Sequence, residues 1–444
     1  MNDVRVSGWG RTSWADVIET PVGADGPVEW PVAAVPRGLG RSYGDAAQCD
    51  GGSVLTTAAQ APEWRGAGVV RVTAGTSIDH VLRWSVPQGW FVPVTPGTRF
   101  VTVGGAIAAD VHGKNHHRDG SFAAHVSRVR LATPGAGIIV ARPGDDVFDA
   151  TVGGMGLTGV VLDADVQMMR IATSMMAVGT RRVDHFDDLL ECLVEADRAH
   201  RYSVAWIDLL ARGSSLGRGV VSAGDHARAS DLHSGWRGDP LAYDPNIRTG
   251  VPDVVPGFVL NRAVGRVFNE AWFRRAPRAR DGELVGIAPF FHPLDALRDW
   301  NRLYGRRGFL QHQFVVPDGR EGPLRRVIER LANGPSPAML GVLKRFGPAG
   351  EGLLSFPFTG WTLAADLPDG PATRSMLDAI DEIVVQAGGR TYLAKDARMR
   401  PRHVTTMYPA LAQWRQIADR LDPDHHVTSD LDRRLGLRRS PHER

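Results

Sequence analysis

Glycine placement restricts this chain more than any other feature. Four clusters, "GLGRSYGD" (38–45), "PGT" (96–98), "TVGG" (102–105) and "GGMGLTG" (153–159), are spread over the first 160 residues. Each alone reads as a turn. A Rossmann site would gather its glycines in one strand-to-helix turn. Four separated clusters instead suggest several loops converging on one long, phosphorylated ligand, with backbone N–H groups aimed at its pyrophosphate.

There is enough chain to build such a site. At 444 residues, two domains are the default expectation. Hydrophobic content of 43% and charged content of 23% are those of a globular protein. The first residues, "MNDVRVSGWGRTSW", lack the apolar core of an export signal, and no run approaches 18 uninterrupted apolar residues. Cys49 and Cys192 belong to no CxxC pair and read as two free thiols. The net charge is +3 and the basic residues are dispersed, which argues against nucleic acid as a partner.

The chemistry-bearing residues are concentrated. Of the 52 Lys and Arg residues only Lys114, Lys344 and Lys395 are lysines. In a chain that fills solvated positions with Arg, these three stand out, because an ammonium is compact and shifts its pKa where a guanidinium cannot. "TPGTRFVTVGGAIAADVHGKNHH" (95–117) adds His112, His116 and His117 beside one of them. The segment has no HExxH pattern, and Asp110 and Asp119 have no recognisable ligand spacing, so no metal is expected.

The periodicity predicts an α+β fold. "VVRVTAGTSIDHVLRWSVPQGWFVPVTPG" reads as strand, Ser-capped helix and strand, a βαβ-like unit leading into residue 95. "PGDDVFDATVGGMGLTGVVLDADVQMM" reads as short helix, glycine turn and β-branched strand. After these, "FLQHQFVVP", "MLGVLKRFG" and "WTLAADLP" are strands alternating with amphipathic helices, a pattern suited to a sheet roofing a pocket. The expected organisation is a cofactor domain over 1–174, a substrate domain over 175–390 with a mobile loop near 227–256, and a C-terminal segment, 391–444, that returns to the first.

"GRSYGD", "PGTRFVTVGGAIAADVHGKNHH", "GGMGLTG" and "YLAKDAR" together resemble the vanillyl-alcohol-oxidase (PCMH) type of FAD flavoprotein. Within it they are most similar to the oxidases of decaprenylphosphoryl ribose. "GWGRT", "FFHPLD", "NRLYG", "VLKRFGP", "LSFPFTGW" and "DLDRRL" follow the same pattern in order, so the resemblance covers nearly the whole chain.

The resemblance implies a two-domain fold with an FAD-binding domain and an antiparallel-sheet cap domain. It further implies oxidation of the ribose 2′-hydroxyl to a 2′-ketone, the first half of an epimerisation to the arabinose lipid. A separate NADH-dependent keto-reductase would complete the reaction. A peripheral, transient contact with a membrane surface, on the cytoplasmic or periplasmic face, follows from the lipid substrate.

The residues implied to line the FAD are Arg37, Gly38, Leu39, Gly40, Arg41, Ser42, Tyr43, Gly44, Asp45, Gly97, Thr102, Val103, Gly104, Gly105, Ala109, Asp110, Val111, His112, Val161 and Tyr392. Lys395 and His112 are the implied catalytic residues, either of which could take the hydroxyl proton. Lys114, Tyr304, Gln311, Gln313, Lys344, Trp361, Thr362 and Ala364 are the implied substrate residues. Arg41 occupies the position where many related oxidases carry a flavin-linking histidine, which implies a non-covalent cofactor. Mycobacterial members carry Asn and Cys where this chain has Thr362 and Ala364. Three other readings are a flavoenzyme of a soluble sugar alcohol or aldonolactone, a basic nucleic-acid-binding module, and a metal-dependent hydrolase.

Overall fold

The structure is a computed structural model that describes residues 2–27, 29–247, 249–252 and 261–438. Three sheets carry the fold. The N-terminal sheet has the order 2–7, 14–22, 53–57, 34–36, with parallel pairing between its inner strands. The second is five-stranded and antiparallel, in the order 63–66, 69–73, 160–167, 126–133, 137–141. The third is eight-stranded and antiparallel throughout, in the order 279–286, 175–183, 219–226, 202–207, 340–346, 360–368, 309–317, 390–391.

Period two decides what the large sheet presents to each side. In the strand Phe309–Pro317, Leu310, His312 and Phe314 point one way and Gln311 and Gln313 the other. The helices Phe186–Ala199, Glu321–Asn333 and Pro371–Gln386 are amphipathic, and their apolar stripes include Leu189 and Leu193, Val327 and Leu331, and Leu377 and Ile380. They cover the first side; the second faces the glycine loops.

Ser77 caps the helix Ile78–Ser85 as expected, its side chain accepting from His80 N. The βαβ-like reading of this region is corrected. Val69–Thr73 pairs antiparallel in the five-stranded sheet, whereas Trp90–Phe91 pairs with Met169–Arg170 in a separate two-stranded ribbon. Local pattern gave the strands and helix correctly, but sheet membership depends on a partner about 80 residues downstream.

In the expected mobile loop, Ala229–Asp231 and Ser234–Trp236 are short 3₁₀ turns, and Thr249–Gly250 pairs with Leu297–Arg298. Residues 248 and 253–256 of that loop lie outside the described residues. The C-terminal segment packs back on the first 160 residues: Trp414 Nε1 donates to Ala150 O at 2.9 Å, and Ala34 N donates to His426 O at 2.8 Å. One hydrophobic core runs from Ala46 to Leu437.

Candidate active site

A deep cavity lies between the glycine loops and the large sheet. Its floor is the loop 37–43. Arg37 anchors that loop by donating to Ala47 O at 2.7 Å and Ser7 O at 2.8 Å. Gly40 has φ +64°, and a Cβ there would lie 2.4 Å from the Arg37 guanidinium. Among the described residues the N–H groups of Gly38 to Ser42 donate to no protein acceptor, and Arg41 Nε is buried without a partner. The backbone groups border the cavity, where an oxygen-rich anion can accept from them, and the buried Arg41 Nε requires an acceptor that such an anion supplies. The donor set therefore fits a pyrophosphate.

The "TVGG" glycines play another part than the one expected of them. Val103 N, Gly104 N and Gly105 N already donate to Thr76 O, Ala74 O and Thr102 Oγ1. Gly104 is there because a Cβ would meet that of Ala74 at 2.9 Å. These residues let the helix Val103–Ala108 dock tightly, and they line the cavity with backbone atoms. At Gly97, by contrast, a Cβ would meet nothing within 4 Å.

Opposite the loops stand the polar residues of the large sheet. The His112 ring lies between Lys344 Nζ, 3.1 Å from Nδ1, and Gln313 Nε2, 3.0 Å from its own Nε2. Burial and the Lys344 charge hold the imidazole well below its usual pKa, so it is neutral. Lys344 is half-buried, and desolvation pushes its ammonium down to about 7. Lys395 Nζ sits 3.7 Å from the Tyr43 ring centroid. Burial lowers its pKa to about 7, against the opposing pull of Asp366. Tyr392 closes the cavity, its hydroxyl donating to Ala109 O at 2.7 Å.

Most expected residues border this cavity: Arg37 to Tyr43, Gly97, Thr102, Gly104, Gly105, Ala109, Val111, His112, Val161 and Tyr392 on the cofactor side, and Gln311, Gln313, Lys344, Ala364 and Lys395 opposite. Eight do not. Gly44 is wedged under the C-terminal segment, where a Cβ would lie 1.8 Å from Asp396 O. Asp45 is held by Arg434 at 2.8 Å. Val103 faces the core. Asp110 accepts from Ala123 N at 3.2 Å and from Ser355 Oγ.

On the substrate side, Trp361 projects to the helix-covered face of the sheet, one residue out of phase with Thr362, and donates to Glu321 Oε1 at 3.1 Å. Thr362 stands behind Gln313, accepting from its Nε2 at 3.2 Å. Tyr304 stacks on Phe309, centroids 4.3 Å apart. Lys114 turns its ammonium to Phe290 O at 2.5 Å.

Sequence reasoning missed Asp366. It lies opposite Gln311 in the ladder, accepts from Gln311 Nε2 at 2.6 Å, and is pushed up to about 7 by burial. A carboxylate inside the apolar run "WTLAADLP" was the available signal. Trp9, Met155 and Trp300 also border the cavity and were not singled out for it.

Residues 29–142 match the FAD binding domain family. The chain is 37% identical, over 98% of its length and 97% of the relative's, to decaprenylphosphoryl-β-D-ribose oxidase of Mycolicibacterium smegmatis. It belongs to that oxidase's family. It is also 42% identical to an uncharacterized Streptomyces coelicolor protein from the mprA 5′ region, over 79% of this chain and 97% of that one. This member of the family is an FAD-dependent oxidoreductase.

Proposed function

We propose that the protein oxidises the 2′-hydroxyl of decaprenylphosphoryl-β-D-ribose to the 2′-ketone, which a separate NADH-dependent reductase then reduces to the arabinose lipid. The observation that carries this reading is the polar wall of Lys344, His112, Gln313 and Lys395, facing loops that fit a pyrophosphate. Bound FAD supplies the acceptor for the hydride leaving C2′. The relative's substrate is a phosphorylated sugar lipid by name, and the wall has the cation and hydrogen-bond donors that such a head group needs.

The residues divide the work as follows. Lys344 is the cation for the substrate phosphate. Gln311 and Gln313 orient the sugar hydroxyls. Both nitrogens of His112 are engaged by neighbours, so it positions Lys344 and Gln313. Among the described residues Lys395 Nζ has no side-chain hydrogen bond, and its depressed pKa gives it a neutral fraction near pH 7, so its Nζ accepts the hydroxyl proton. Asp366 then steadies the resulting ammonium. Tyr43 and Tyr392 exclude water from this corner. Arg41, stacked 3.8 Å over Trp9, offers no imidazole for a flavin bond, so the cofactor is non-covalent.

The test is anaerobic incubation of the purified yellow protein with polyprenylphosphoryl ribose and, separately, with soluble sugar alcohols and aldonolactones. Bleaching of the flavin band with a borodeuteride-trappable 2′-ketone is expected for the lipid alone. Turnover of the soluble sugars instead would replace the reading. Acid precipitation should release intact FAD into the supernatant, and flavin held in the pellet would contradict the non-covalent assignment.

A further inference from the structure

The helix Arg262–Arg275 has its apolar side outward. Its buried stripe is only Gly265, Asn269 and Phe273, at i, i+4 and i+8. Asn269 is there for a polar reason, donating to Asp208 Oδ1 at 2.7 Å. The opposite face gives Val264, Val267, Phe268 and Trp272 to solvent, at 45%, 71%, 58% and 48% exposure. The Phe268 and Trp272 rings stack with centroids 6.3 Å apart. Single exposed apolar side chains are ordinary, but four on one helical face form a patch with a purpose.

The charge around the patch is one-sided. The helix carries four arginines and one carboxylate, Glu270, which is taken by Arg218 at 2.7 Å and Arg274 at 2.5 Å. Arg262 is held by Ala332 O and Gly334 O. Arg266 and Arg275 have no acidic partner among the described residues. Arg275 falls on the apolar face itself, whereas Arg266 lies round the helix beside Glu270; a face of this composition complements an anionic bilayer, its rings and branched side chains reaching the acyl boundary while Arg275 meets head-group phosphates.

We infer that this helix lies flat on an anionic lipid surface and seats the enzyme there. The inference deepens the proposed function in one respect, since a polyprenyl substrate resides in such a bilayer. The position agrees with that use. A Cβ on Gly265 would come within 3.1 Å of Met339, and the next residue, Leu340, lines the cavity. The seat is therefore close to the pocket that takes the lipid's head group.

The experiment is co-sedimentation of the FAD-loaded protein with phosphatidylcholine vesicles, with and without about 30% phosphatidylglycerol. The wild type is expected to sediment with the anionic vesicles and weakly with the neutral ones. Phe268→Ser/Trp272→Ser and Arg266→Glu/Arg275→Glu should each lower the partition coefficient about tenfold or more. Both should keep FAD and wild-type turnover of a short-chain, water-soluble polyprenylphosphoryl ribose. Equal sedimentation of wild type and both variants would overturn the inference. So would a concentration-dependent dimer that the Phe268→Ser/Trp272→Ser variant dissolves, which would make the face a contact between copies. Vesicle binding without turnover of any polyprenylphosphoryl ribose would retire the proposed substrate and leave the membrane seat standing.

Discussion

Lys395 and Lys344 occupy positions that differ in what they ask of a cation. Lys395 packs against the Tyr43 ring in a buried corner, with its pKa pushed down to about 7. Arginine there would be bulkier and permanently charged. Lys395→Arg is predicted to retain FAD and to lose turnover by on the order of 100-fold or more; near-normal rates in a flavin-loaded variant would remove Lys395 from the chemistry. The pH profile separates the two lysines. A base at Lys395 works as the neutral amine, so kcat should rise as pH passes upward through about 7. A phosphate partner at Lys344 works as the ammonium, so KM should rise above about 7, approaching tenfold per pH unit. The product is a bell-shaped kcat/KM near neutrality. In Lys344→Met the KM should be high at every pH, and an unchanged KM profile would refute the phosphate role.

At the scale of elements, the floor loop is fastened from the far end of the chain. Arg434, on the short helix Asp430–Leu435, donates to Asp45 at 2.8 Å and to Asp396 at 2.8 Å. Its partners hold its charge firmly, and it ties the glycine loop to the segment carrying Lys395. Removing one member of a buried ionic cluster costs about 3–5 kcal/mol when the others are left unpaired. Arg434→Gln is predicted to lower the thermal midpoint and to release FAD at temperatures where the wild type keeps it, as flavin fluorescence would report. Simultaneous loss of flavin and fold in both proteins would show that the clasp stabilises the molecule without shaping the loop. The same scale explains where neighbouring side chains go. Trp361 and Thr362 are neighbours in sequence, and only the register with Val315 and Val316 sends one to the helices and the other toward Gln313.

For the molecule as a whole, three half-buried lysines carry a stability signature. Lys114, away from the cavity, is pushed by burial and by Lys344 to about 7, and the other two lie at about 7 as well. Between that value and the ordinary 10.5, the unfolded chain binds protons that the folded chain does not. Stability should therefore rise with pH above 7, by roughly 1.4 kcal/mol per pH unit for each such lysine, and be indifferent to these groups below 7. Lys114→Met is predicted to flatten the rise of the thermal midpoint between about pH 7 and pH 9 while leaving KM unchanged. A raised KM would return Lys114 to the substrate site.

The sequence by itself determined the loop chemistry. Glycines at 38, 40 and 97, the three lysines and the strand-helix alternation were legible because backbone freedom, pKa versatility and hydrophobic period are properties of residues and near neighbours. The ordered motifs carried the family. Tertiary structure alone decided which residues meet: Asp366 beside Gln311, Arg434 on Asp45, Lys114 on Phe290, and Arg262–Arg275 with its apolar side exposed. Each of those contacts joins segments far apart in the chain or depends on which face of an element is covered. Local pattern fixes the period of a strand or helix, but the phase of that period is set by the partner packed against it.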